Sequence, residues 1–206
     1  MIIDEKLIQN KKGIIVIGSA RSGSHFLTDA LFRQCTKLDK ILLGEIYKSW
    51  DRRHILKNLN EIKANTNFVF ASIVQFVPKN LLIQHRHEFA DYYIVNLRRR
   101  DKIAQYASWC LARSTWKESI SHSPIWELVK KELPFTSTDD DIDQFIIEQN
   151  FDYIWPADCT IYYEDLLSLN LSSKFKKNEL LGTYVDIFSN YGVVKERLDK
   201  FKYYND

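Results

Sequence analysis

The chain has 206 residues, 45% hydrophobic and 27% charged, enough for one domain with a buried core. Its formal net charge of +2 argues against a nucleic-acid coat, and no apolar run approaches the roughly 20 residues of a membrane span. Three scattered cysteines, Cys35, Cys110 and Cys159, form no disulfide framework or C-x-x-C pair, and Met1 to Lys6 lacks a signal-peptide pattern, so a cytoplasmic protein with reduced thiols is expected.

In chain order, Ile14 to Ile17 is a short β-branched run of the kind that forms a fully buried strand. Gly18-Ser19-Ala20-Arg21-Ser22-Gly23 follows as a turn. After Ser24 and His25 the spacing becomes helical, with Phe26, Leu27, Ala30 and Leu31 on one stripe. Strand, glycine-bearing turn and helix is an arrangement that presents backbone N–H groups and a helix N-terminus to an anion, usually a phosphate. Asp39 to Gly44 reads as a lead-in to Glu45, and Asp51 to Ala64 as an amphipathic helix with Ile55, Leu56, Leu59 and Ile62 inward. Asn67 to Val74 predicts a second strand and Pro78 to about Phe89 a helix. Asp91 to Leu97 predicts a third strand, followed by Arg98-Arg99-Arg100 and a helix with Ile103, Tyr106, Ala107, Cys110 and Leu111 on one face.

From Ser119 to Asp158 the pattern is helical but broken by Pro124 and Pro134. Thr138 to Asp141 reads as a helix start with acids at the positive end. Cys159 to Tyr163 predicts a fourth strand, Glu164 onward a helix, and the remainder two helices with Gly192 between them. Strands alternating with helices imply a single α/β domain, with a central parallel sheet covered by helices on both faces.

The turn after the first strand is informative for what it lacks. A nucleoside triphosphatase loop reads G-x-x-x-x-G-K-[ST], its Lys on the β/γ-phosphates and its hydroxyl on Mg²⁺. Gly18 and Gly23 keep the separation, but Ser24 stands in place of the Lys and His25 in place of the hydroxyl; the cation is Arg21, inside the turn. Ala20-Arg21-Ser22-Gly23-Ser24 resembles the P-loop of sulfotransferases, commonly [PA]-[KR]-S-G-[ST]-[ST] after a buried strand, with His25 as the departure. A second stretch, Arg98-Arg99-Arg100-Asp101-Lys102 with Gln105, Ser108 and Trp109, is similar to the bacterial trehalose-type branch of that family. Together the two stretches bring the resemblance to about half the chain.

The resemblance implies a three-layer P-loop-type fold and an enzyme that moves a sulfuryl group from 3'-phosphoadenosine 5'-phosphosulfate to a hydroxyl of a small acceptor, a carbohydrate or glycolipid among the candidates. It implies no metal. Arg21, Ser22, Gly23, Ser24 and His25 would hold the donor's 5' end, with Arg21 and His25 also serving transfer. Arg100 and Ser108, eight residues apart, would hold its 3'-phosphate; on a helix they would lie about 80° apart. The family's proposed base is the second Glu after a Gly-Glu-Pro segment. Here Gly44-Glu45 keeps the first Glu while Lys48 replaces the second, so Glu45 is the candidate base. The alternatives are a small P-loop nucleotide kinase and a non-catalytic nucleotide-binding descendant. The remaining histidines carry no metal-ligand spacing: His85 and His87, two apart, would fall on different faces of a helix.

Overall fold

A computed structural model describes residues 2–19, 22–45, 52–74, 86–116, 134–149, 157–167, 169, 171 and 184–201. Its central feature is a five-stranded, all-parallel sheet built from β1 (Gly13–Gly18), β2 (Lys40–Glu45), β3 (Phe68–Val74), β4 (Tyr92–Arg98) and β5 (Cys159–Tyr162). The strand order is β2-β3-β1-β4-β5. Two registers matter most: Gly18 stands opposite Val74 on one side and Leu97 on the other, and Arg98 stands opposite Tyr162. The expected α/β class, a parallel sheet flanked by helices, is the one observed.

The chain divides into two compact units, residues 1–100 with 151–177, and residues 101–150 with 178–206. The first holds the sheet. Every residue of β1 is buried, which explains why its sequence is apolar without alternation. On one sheet face, α1 (Ser24–Gln34) lays Phe26, Leu27 and Leu31 over Ile14, Val16, Phe70 and Val95. On the other, α2 (Arg52–Ala64) lays Leu59 and Ile62 over Ile15, Ile17, Val69 and Ile94. The alternation of side chains along each strand thus feeds two cores, one per face.

In the second unit, the aromatic side of α3 (Lys102–Trp116) meets α4 (Asp139–Gln149). Tyr106 stacks on Phe188 at 5.4 Å and meets Phe145 edge-on at 5.0 Å, while Trp109 donates from Nε1 to Glu148 Oε2 at 2.9 Å. The chain closes with α6 (Tyr184–Ile187) and α7 (Tyr191–Asp199). Between the units in sequence, α5 (Tyr163–Leu167) follows β5 without a break and belongs to the first unit.

Four expectations are corrected. Lys40–Glu45 is a strand rather than a lead-in; it lies at the sheet edge with a register shift between Leu42 and Gly44, and its half-exposed side chains blur the apolar run. The helix expected up to Phe89 is, in its described part, one 3-10 turn at Arg86–Phe89; residues 75–85 lie outside the described residues. Gly192 sits inside α7 rather than ahead of it, because Asn190 is the N-cap. Arg100 does not ride on a helix with Ser108: Asp101 Oδ1 accepts from Ala104 N at 2.8 Å and starts α3 one residue later, so the 80° helical relation does not apply. Among the described residues no helix is long and apolar enough to cross a membrane.

Candidate functional site

The order of the strands singles out one place on the sheet. The connection after β1 leads away towards β2, and that after β4 leads the opposite way towards β5, yet β1 and β4 are neighbours. Adjacent parallel strands whose connections part in this manner leave a crevice beyond their carboxyl ends, where α/β proteins bind ligands. Beyond β1 here lies the Gly18–Ser24 turn, and beyond β4 lies Arg98–Arg100.

The turn is built for close approach. Ser22 N donates to Ser19 O at 3.1 Å, and Gly23 then takes φ 95°, a left-handed conformation costly for any residue with a Cβ. Gly23 is also the N-cap of α1 and contributes no side-chain cap. Ser22 is 1% exposed; its hydroxyl lies where a Cβ on Gly18 would have to go and has no hydrogen-bond partner among the described residues. An unsatisfied hydroxyl at the N-terminus of an eleven-residue helix is a donor in reserve where the helix dipole already favours negative charge. Ser24 is buried as the first residue of α1, and His25, half-buried, is the second. Arg21, the cation of the expected loop, lies outside the described residues.

Across the crevice the arginines are held by the end of β5. Arg100 N donates to Glu164 Oε2 at 3.0 Å, and its guanidinium forks onto Asp165 at 2.5 and 3.1 Å. The Tyr162 ring lies 4.0 Å from the same guanidinium. The bond to Asp165 raises the Arg100 pKa further and holds the Asp165 carboxyl below the usual carboxylate range. Arg99 takes the neighbouring set: Nε sits 3.7 Å from Glu164 Oε1 and the guanidinium 4.8 Å from the Tyr163 ring. That ring in turn fills the space against Gly23, where a Cβ would overlap it. Tyr163 therefore ties the turn to the arginines through direct packing. In the second unit, the acids Asp139 and Asp143 pair with Arg197.

The fold thus brings Ser22, Gly23, Ser24, His25 and Arg100 to one sheet edge. Glu45 ends β2, two strands from β1, a lateral separation of about 10 Å at the usual inter-strand spacing; it pairs in register with Ser72, which pairs with Val16. Ser108 is buried on α3 in the second unit. Sequence reasoning missed Tyr162, Tyr163, Glu164 and Asp165. A signal was available: once β5 is a parallel strand beside β4, the residues after both must emerge at the same edge. Compared with family models, curated proteins and solved structures, the chain shows no match.

Proposed function

We propose that the chain is a sulfotransferase that uses 3'-phosphoadenosine 5'-phosphosulfate to sulfate a hydroxyl of a small acceptor, with sugars and glycolipids among the candidates. The observation that carries the reading is the parting of the connections after the neighbouring strands β1 and β4, with a Lys-free glycine turn following one strand and three arginines at the end of the other. A turn without the triphosphate-handling Lys and metal-holding hydroxyl suits a donor whose transferred group needs neither. The unpartnered Ser22 hydroxyl and the N-terminus of α1 suit the 5'-phosphate, and a guanidinium fork at Arg100 suits the 3'-phosphate. Ser108 is assigned to the 3'-phosphate, and Arg21 and His25 to the oxygens of the transferring group, on the resemblance alone.

The donor supplies an activated sulfuryl group: the acceptor oxygen bonds to sulfur as the bond from sulfur to the bridging 5'-phosphate oxygen breaks, leaving 3',5'-diphosphoadenosine. The chain's task is to hold the phosphate ends in line and to accept the hydroxyl proton, a role assigned to Glu45.

Thermal unfolding tests the reading. 3',5'-diphosphoadenosine is expected to raise Tm, with a stabilisation of about 2.7 kcal/mol at a hundredfold excess over Kd. ATP with Mg²⁺ is expected to do so far less, and Arg100→Ala to erase most of the preference for a 3'-phosphate. Equal stabilisation by ATP–Mg²⁺ would favour a nucleotide kinase. Binding without release of 3',5'-diphosphoadenosine from the donor, across a panel of sugars and phenols, would favour a non-catalytic descendant.

A further inference from the structure

Resting on the donor reading above, we propose that Asp165 is a built-in rival for the phosphate that Arg100 receives, and so holds down the site's affinity for a 3'-phosphorylated nucleotide. The Asp165 carboxylate takes both terminal nitrogens of Arg100, at 2.5 and 3.1 Å. That two-pronged contact is the one a phosphate would make, so carboxylate and phosphate compete for the same pair of donors. The other holds on Arg100 leave those donors free to change partner. Its backbone N–H is anchored on Glu164 at 3.0 Å, and the Tyr162 ring lies 4.0 Å from the guanidinium. Asp165, whose side chain is 57% exposed, is thus the partner to be displaced, while the Glu164 and Tyr162 holds keep Arg100 in place.

The consequence is a cost that falls on one class of ligand. A dianionic phosphate regains more from the guanidinium than the monoanionic carboxylate gives up, so it still binds, but its net gain is smaller by the cost of displacing Asp165. A nucleotide with only a ribose hydroxyl at that position leaves Asp165 in possession and bears no such cost. Glu164, 3.7 Å from Arg99, keeps a second negative charge beside the fork and adds to that cost.

Calorimetric titration of the full chain with 3',5'-diphosphoadenosine and with adenosine 5'-monophosphate tests this on the wild type, Asp165→Asn and Arg100→Ala. Asn keeps the shape and removes the charge. Asp165→Asn is expected to bind the diphosphate about two- to fivefold tighter, the range set by an exposed ion pair, and the 5'-monophosphate unchanged. Arg100→Ala is expected to bring the two nucleotides close together in affinity. Unchanged or weaker diphosphate binding by Asp165→Asn overturns the rivalry, since Asp165 would then be inert or a support for Arg100. An equal gain for both nucleotides also overturns it, as a general charge effect. Should neither nucleotide bind the wild type, the donor reading falls and takes this inference with it; binding that is lost in Arg100→Ala but indifferent to Asp165→Asn removes the rivalry alone.

Discussion

Gly23 bears two constraints at once, a φ of 95° and a Tyr163 ring occupying the place of its Cβ. Gly44 shows only the first: its φ is 69° and, among the described residues, nothing lies within 4 Å of a Cβ there. Alanine at Gly44 is therefore expected to cost about 1–2 kcal/mol, the left-handed penalty alone. At Gly23 the same change adds the overlap with a buried ring, for a total of about 2–5 kcal/mol. Urea unfolding of the two variants checks the difference, and equal losses would mean that the Tyr163 contact is slack. Gly23 and its neighbours Ser22, Ser24 and His25 were legible in the sequence because they are contiguous and follow an unmistakable strand. Tyr162 to Asp165 were not, because they reach the arginines only through strand pairing across some sixty intervening residues, from Arg98 to Tyr162.

Helix ends and strand edges divide along a similar line. Thr138 was read as the start of a helix, and α4 begins directly after it: Thr138 Oγ1 accepts from Asp141 N at 3.1 Å while Asp141 Oδ2 accepts from Thr138 Oγ1 at 2.7 Å and from Thr138 N at 3.3 Å. This is a capping box with Asp in place of the usual Glu. Thr138→Ala is expected to cost about 1 kcal/mol, read as a lower urea midpoint with unchanged slope. The strands β1, β3 and β4 were legible because burial on both faces demands continuous apolar runs. At the edge, β2 has Lys40 at its start, its ammonium bound to the carbonyls of Phe32 and Cys35 at 2.8 and 2.5 Å, and Gly44 near its end. A strand with one free side tolerates both residues, so its composition does not announce it.

For the molecule as a whole, the alternation of strands and helices disclosed a parallel sheet but not the order of its strands; order depends on which faces pair, which no local pattern records. That order puts Tyr93 on a central strand, where burial foremost, with Cys159 and the charge of Asp158, pushes its phenol up to about 12. Burial also raises the Tyr92 and Tyr106 phenols above their ordinary 10.0. Above pH 10 the unfolded chain gives up these protons while the folded chain keeps them. Stability is therefore whole below pH 10 and falls as pH rises towards 12. Urea midpoints across that window are expected to decline, and to decline less in Tyr93→Phe; a flat profile would contradict the burial of these rings.

The position of β5 also bears on how the protein is born. During synthesis β4 must wait, with one row of N–H and C=O groups bare, until the ribosome has delivered residues 101–158 and then Cys159–Tyr162. Asp158, which closes the seam by accepting from Ile94 N at 2.7 Å and donating its own N–H back to Ile94 O at 2.8 Å, arrives just ahead of that strand. A nascent chain stalled before this point would present a ready template for stray strand pairing. Its Arg100 would also meet any passing phosphate with no Asp165 yet made to contest it.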